Sequence, residues 1–130
     1  MTLVADDRTY NRIRVEPLTG AIGAEVQGVD LRDIDDETFG EIHDAWMQWK
    51  VLFFREQPIS VADHVAFARR FSELEIHPFL PTVAGYPEVI QFESTANNPN
   101  AAEAWHTDVT FQLKDGKMLH HSGHIKELVS

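Results

Sequence analysis

The sequence contains no cysteine. That absence excludes a disulfide scaffold, a thiolate zinc site and a cysteine nucleophile. Basic residues are also few, because 11 Lys and Arg stand against 21 Asp and Glu, which gives a formal net charge of -10. Nucleic-acid binding needs a basic footprint, so we expect no nucleic-acid partner.

Long apolar runs and a secretory signal are lacking as well. No stretch approaches the roughly 18–20 apolar residues that a membrane span needs. The first ten residues, MTLVADDRTY, are acidic and lack the basic start of a secretory signal. The sequence therefore predicts a cytoplasmic protein with no membrane partner.

The chain does contain the material of one globular domain. Its 130 residues are 43% hydrophobic and 10% aromatic, which allows a buried core and argues against disorder. Seven histidines in so short a chain are the one compositional hint of chemistry. We expect most of them to be ordinary surface residues.

Apolar alternation predicts short strands over 12–18 and 24–28, the apolar run over 51–54 predicts another, and a further strand is expected over 89–92. The third of these is expected to be buried, because it consists of Val, Leu and two Phe. The prolines and the glycine of 75–86 are typical of a loop.

Helical spacing predicts two helices. The first covers 36–49 behind a cap at Asp35 or Asp36, with an apolar face that includes Ile42 and Trp46. The second begins at a capping box formed by Ser60 and Asp63 and runs to about residue 71.

The sequence Trp-His-Thr-Asp-Val at 105–109 carries the strongest chemical signal. His106 and Asp108 are two residues apart, and on a strand that spacing points both side chains to one face. An imidazole and a carboxylate so placed suit adjacent positions on one metal ion, as in the two-His-one-carboxylate triad of non-haem Fe(II) oxygenases. The spacing taken alone favours the other interpretation, a polar edge strand with an exposed His and Asp.

Five stretches of the chain share their order and approximate spacing with one known family. They are LTGAIGAEVQGVDL (18–31), VLFFREQ (51–57), FARRFSEL (67–74), IHP (76–78) and WHTDVTF (105–111). Together they resemble the N-terminal half of the TauD/TfdA family of taurine-dioxygenase-like Fe(II)/2-oxoglutarate-dependent dioxygenases. The resemblance covers 1–111 and implies an α+β fold: the N-terminal part of a double-stranded β-helix (a jelly-roll, clavaminate synthase-like fold) with flanking helices.

The resemblance also implies cofactors and partners. Fe(II) is the expected metal, 2-oxoglutarate the co-substrate, and O₂ and a small anionic organic molecule the further reactants. Succinate and CO₂ are among the implied products. The substrate is expected to be hydroxylated at the carbon next to its heteroatom, which gives an unstable product that fragments.

Residue by residue, His106 and Asp108 match two of the family's iron ligands. His77 matches the histidine that reaches the acidic group of the substrate, and Val109 matches a position that lines the substrate pocket in some members. A protonated or N–H-donating imidazole suits an anion. Apart from the resemblance, His77 is simply a loop histidine beside Pro78. No 2-oxoglutarate-binding residue is carried over onto this chain.

Two positions depart from the taurine-specific members. Leu80 and Ala102 stand where those members have a Tyr and an Asn. Both changes remove hydrogen-bonding groups, so the site should favour a small, fully polar sulfonate less. We expect a larger or more apolar sulfonate, a sulfate ester or a carboxylate.

The family pattern stops after Phe111. In members of the family, the sequence continues to a third iron-ligating His and to arginines that bind 2-oxoglutarate and substrate. Residues 112–130 resemble none of these segments. A truncated or frameshifted gene would explain the difference. We therefore expect 1–111 to be the N-terminal part of a dioxygenase domain and 112–130 a divergent, disordered tail. His120 and His124 have i,i+4 spacing, but the intervening Gly123 disfavours a helix.

Two classes of function remain open at this point. The first is a dioxygenase lineage, in which this chain is a truncated part that is inactive alone. The alternative is a non-catalytic relative that binds metal weakly through two ligands or acts as an interaction module. A homo-oligomer is compatible with both.

The missing third ligand and arginines predict that the 130-residue chain alone has no dioxygenase activity. The chain is incubated with Fe(II), ascorbate, 2-oxoglutarate and a panel of sulfonates, and succinate is measured. We expect no more succinate than the His106→Ala variant gives. Turnover well above that control would contradict the prediction.

Overall fold

The computed structural model describes residues 9–91 and 96–97, together with the backbone of 113–114 and 117–118. The chain divides into two compact units, 1–71 and 72–130. Among the described residues, no helix is long and apolar enough to cross a membrane.

The first unit contains a three-stranded sheet in the order β1-β2-β3. Its strands are β1 (Arg14–Pro17), β2 (Ala24–Gln27) and β3 (Leu52–Phe53). β1 and β2 pair antiparallel, and β2 and β3 pair parallel. Parallel neighbours need a long crossover connection, and here that connection contains the first helix.

Helix α1 spans Asp36–Trp49, the range that its apolar spacing predicts. The side chain of Asp35 caps it by accepting a hydrogen bond from the Thr38 N–H at 2.8 Å, which satisfies one of the free N–H groups of the first turn. Ile42, Ala45 and Trp49 are buried. The predicted apolar face is therefore the face that packs inward.

Helix α2 spans Val61–Arg69 and begins with the predicted capping box. The Ser60 side chain accepts from the Asp63 N–H at 3.1 Å, and the Asp63 carboxylate accepts from the Ser60 N–H at 2.9 Å. The helix ends two residues before Phe71, where the sequence placed its end. Val65 and Phe67 are its buried residues.

The core of the first unit joins the sheet, both helices and the connector between β2 and α1. Its buried members are Ile13, Val26, Leu31, Ile34, Ile42, Ala45 and Phe67. Phe71 packs edge-on against Phe39, Trp46 and Phe67, with ring centroids 5.0, 5.3 and 5.3 Å apart. These aromatic pairs join α1 to the end of α2, in the geometry that ring quadrupoles favour.

The expectation of a buried strand over 51–54 is wrong. Only Leu52 and Phe53 form the strand, while Val51 is 42% and Phe53 38% exposed. The physical reason is position: among the residues that the structure describes, β3 pairs with β2 and lies at the edge of the sheet, so no neighbouring strand covers its other side.

In the described part of the second unit, the strands form two small hairpins. β4 (Thr82–Val83) pairs antiparallel with β5 (Tyr86–Ile90), and β6 (Leu113–Lys114) pairs antiparallel with β7 (Lys117–Met118). The turn between β4 and β5 places Gly85 at φ +81, a conformation that glycine adopts without strain. The predicted loop over 75–86 thus includes a short strand, and the predicted strand over 89–92 begins earlier, at Tyr86.

Glu41 of α1 binds the backbone of the segment that leads into β1. Its carboxylate accepts hydrogen bonds from three successive backbone N–H groups, those of Asn11 at 2.8 Å, Arg12 at 2.8 Å and Ile13 at 3.1 Å. Burial opposes the charge, but the three N–H groups and the nearby Arg12 outweigh it, and the pKa of Glu41 is lowered.

We expect Glu41→Gln to lower the free energy of unfolding by about 1–2 kcal/mol, because an amide nitrogen would then face backbone donors. A carboxyl with a lowered folded-state pKa stabilises the fold above its ordinary pKa of about 4.3, and this contribution is lost as the pH falls through the lowered value. The difference between the two proteins in urea unfolding should therefore shrink on acidification.

Glu37→Gln is the matched control. Glu37 lies on α1, as Glu41 does, and forms an exposed ion pair with Arg12. Exposed ion pairs contribute little, so its effect should stay below about 1 kcal/mol. Equal effects of the two substitutions would contradict the role given to Glu41.

Candidate functional site

Of the residues that the sequence marks for function, the structure describes His77 and Leu80. The expected iron ligands His106 and Asp108, the pocket residue Val109 and the substitution at Ala102 lie outside the described residues. Within the described part of the chain, no group of three or more His, Asp or Glu side chains could hold a metal ion.

His77 lies in the segment that precedes β4, and its ring is fixed by the backbone that follows it. Its Nδ1 accepts hydrogen bonds from the Phe79 N–H and from the Leu80 N–H, both at 3.2 Å. Asn and Asp side chains form similar turns with the backbone two residues on. The imidazole is thus held against its own turn, with Nδ1 occupied.

Apolar side chains surround His77 along the chain. Phe79 is 81% and Ile76 is 58% exposed, while His77 and Leu80 are half-buried. The rings of His77 and Phe79 lie edge to face, with centroids 6.2 Å apart. A polar nitrogen in apolar surroundings is an arrangement suited to a ligand that has one polar group and one apolar part.

The pKa shifts among the described residues have structural causes. A hydrogen bond from the Arg32 side chain lowers the pKa of Asp30 to about 2. Hydrogen bonds from Gln27 and Arg55 lower the pKa of Glu25. Ion pairs and caps shift pKa values without implying catalysis. These carboxylates are accounted for by their partners in the fold.

Comparison with known proteins adds the family. The family described as "Taurine catabolism dioxygenase TauD, TfdA family" matches residues 14–120. The chain belongs to this family. The match extends past Phe111, and the boundary between 1–111 and 112–130 stays a prediction.

Several relatives are similar over most of the chain. An alkylsulfatase from Acinetobacter baylyi is 38% identical over 102 residues, which are 77% of this chain and 32% of the relative. An alpha-ketoglutarate-dependent sulfate ester dioxygenase from Pseudomonas putida is 38% identical over 99 residues, which are 75% of this chain and 32% of the relative. The chain thus spans about a third of the length of these curated relatives.

A solved structure agrees with the sequence comparison. The crystal structure of a protein from Burkholderia xenovorans, assigned as an alpha-ketoglutarate-dependent taurine dioxygenase, superposes with a TM-score of 0.64. It is 43% identical and is matched over 75% of this chain and 35% of its own. The small sheets and two helices described here are consistent with part of a TauD-type domain.

Two of the TauD-like stretches, 18–31 and 51–57, meet in the fold. The Gln57 side chain accepts from the Leu31 N–H at 3.0 Å and donates to the Val29 carbonyl at 3.0 Å. Arg55 Nε donates to the Glu25 carboxylate at 2.8 Å. These hydrogen bonds therefore join the loop after β3 to β2 and to the chain that follows β2.

The amides of Phe79 and Leu80 were not predicted as supports for His77. Their signal in the sequence is faint: a histidine followed by proline, in a segment with turn residues. Gln57 was quoted only as part of a TauD-like stretch, and its two backbone partners lie 26 and 28 residues away. Hydrogen bonds between residues so far apart in the sequence depend on the tertiary fold, so the local sequence pattern does not predict them.

We expect Gln57→Ala to lower the free energy of unfolding by about 1–3 kcal/mol, because it leaves the N–H of the buried Leu31 without its acceptor. Urea unfolding measures the effect. Gln91→Ala serves as the control, since Gln91 is exposed and a surface change of this kind should stay within about 0.5 kcal/mol. A Gln57→Ala protein as stable as that control would overturn the assignment.

Proposed function

We propose that this chain forms the N-terminal part of an Fe(II)/2-oxoglutarate-dependent dioxygenase that hydroxylates a small anionic substrate. The observation that carries the proposal is the family match over 14–120, since that range includes His77, His106 and Asp108. The fold we assign to the complete domain is the double-stranded β-helix, with 1–111 supplying its first part and 112–130 lying beyond it.

The proposed metal site draws its support from the donor set. His106 and Asp108 offer one imidazole and one carboxylate, the ligand types of the Fe(II) facial triad, at the spacing that a strand turns to one side. A second histidine would complete the set from outside the family-like region of this chain. When bound, Fe(II) supplies the reaction of O₂ with 2-oxoglutarate and substrate, and the protein supplies position and a dry pocket.

The proposed substrate is an anion with an apolar part. Relatives named alkylsulfatase and sulfate ester dioxygenase support a sulfate ester, and the relative named taurine dioxygenase supports a sulfonate. Leu80, in place of a hydroxyl-bearing residue, and the exposed Phe79 favour an apolar group beside the anion. A carboxylate fits the same donor, and Val109 is proposed to line the pocket.

Three side chains carry the proposed chemistry. His77 donates to the acidic group of the substrate, and His106 and Asp108 hold the iron. The chemistry consumes 2-oxoglutarate and O₂ and yields succinate, CO₂ and a hydroxylated substrate. The apolar side chains that line the proposed substrate pocket exclude water from the reacting carbon.

The experiment that tests the proposal uses a graft. Residues 14–111 replace the matching segment of the sulfate ester dioxygenase from Pseudomonas putida, so that the host supplies the rest of the domain. We expect the graft to form succinate in a manner that requires Fe(II) and substrate. His106 and Asp108 are proposed to bind the metal directly, so His106→Ala or Asp108→Ala should lower turnover by at least about 100-fold. Substitution of a residue that only hydrogen-bonds to a metal ligand costs less than this.

His64→Ala in the same graft is the control. His64 lies on α2 and is half-buried, outside the proposed site, so turnover should stay within about twofold of the unsubstituted graft. A folded graft that retains its activity after His106→Ala would refute the proposed metal site. A folded graft without succinate formation would refute the proposed function.

A further inference from the structure

The hydrogen bonds of His77 constrain the proton on its ring. A neutral imidazole has one nitrogen that donates and one that accepts, whereas both nitrogens of the charged ring donate. Nδ1 of His77 faces two donors, the N–H groups of Phe79 and Leu80, each at 3.2 Å. A proton on Nδ1 would place three N–H groups against one another and would cost both bonds.

We propose that His77 meets its ligand as a neutral ring, with Nδ1 held by the backbone N–H groups of Phe79 and Leu80 and Nε2–H as its single donor to an anionic oxygen. The state of the ring follows from the turn alone. The identity of the acceptor rests on the function proposed above. Phe79 and Leu80 thereby act as positioning residues through their backbone.

This arrangement specifies the chemistry of the ligand. A ring with one N–H donor and its acceptor already occupied pairs with a group that only accepts, such as a sulfate ester, sulfonate or carboxylate. An ammonium or amide N–H at the same place would meet a second donor and lose a hydrogen bond. The half-buried ring therefore favours an acceptor over a donor at this place, by about the free energy of one hydrogen bond.

The charge of the ligand must be met elsewhere. Residues 72–91 contain three carboxylates, Glu73, Glu75 and Glu88, and neither Lys nor Arg. A neutral His77 adds direction but no positive charge.

The test is the protonation state of His77 in the full 130-residue chain, measured near neutral pH. Long-range proton–nitrogen NMR separates a bare ring nitrogen from a protonated one. We expect a bare Nδ1 and a protonated Nε2. We also expect amide exchange at Phe79 and Leu80 to be slowed by about fivefold relative to His77→Ala, the factor that one ordinary hydrogen bond gives. A proton on Nδ1, alone or with Nε2, would overturn the proposal.

Two substitutions separate the supporting turn from the donor. His77→Asn keeps an oxygen that accepts from the backbone two residues on and removes the distal N–H. His77→Gln keeps a distal N–H and removes the acceptor near the backbone. We expect protected amides at Phe79 and Leu80 in the Asn protein and unprotected amides in the Gln protein. The opposite pattern, or equal loss in both, would contradict the turn.

Inorganic sulfate and methyl sulfate are the probes of the donor. Each should shift the Nε2–H resonance of His77 in the grafted enzyme, where the host supplies the rest of the domain, while Nδ1 stays bare, and guanidinium chloride at equal ionic strength should leave it unmoved. No response of the folded graft to either anion, or a second proton on the ring when sulfate binds, would overturn the assignment of His77 as a neutral donor. These measurements involve no turnover. An inactive graft would therefore contradict the proposed function without contradicting the neutral state of His77. A proton on Nδ1 would contradict that state without contradicting the proposed iron ligands.

Discussion

The buried face of α1 is the constraint on which the described first unit depends. Ile42 and Ala45 are fully buried, and they pack with Val26 of β2 and Phe67 of α2 in one cluster. Burying a side chain such as Ile contributes about 1.5–3 kcal/mol, more than any exposed ion pair on this surface. Because α1 lies in the crossover between β2 and β3, its packing also places the parallel strand and the loop that follows it.

That packing brings two of the TauD-like stretches, 18–31 and 51–57, together in space although they are separated in the sequence. The crossover returns the chain to the sheet, and Gln57 then reaches Val29 and Leu31 across 28 and 26 residues. Glu41 secures the other end of the unit by holding the entrance to β1. The helix thus orders both the chain that leads into β1 and the loop that follows β3.

Local patterns predicted the helices better than the sheet. The spacing of Ile42 and Trp49 and the cap at Asp35 determine α1 within the chain itself, and so does the capping box of α2. The burial of a strand depends on its neighbours, which explains the error at Phe53: an apolar pair at a sheet edge has the same sequence pattern as one in the middle. Partners such as Gln57 and Leu31 are set by tertiary packing.

The candidate site divides in the same way. Family resemblance alone points to His77, since a single loop histidine has no pattern of its own, and the backbone turn that holds its ring is a feature of the folded chain. The assignment of His106 and Asp108 as iron ligands rests on their spacing in the sequence and on the resemblance to the family. What links the two places is a proposed anionic substrate that reaches from a neutral donor to a reacting carbon near the iron.

The central claim is that this chain supplies two ligands to a catalytic iron. Anomalous diffraction at the iron absorption edge tests it most directly, on oxygen-free crystals of the grafted enzyme with Fe(II). The account predicts one anomalous peak within bonding distance of both the His106 imidazole and the Asp108 carboxylate. A peak bound by other residues, with these two side chains turned away from it, would contradict the account.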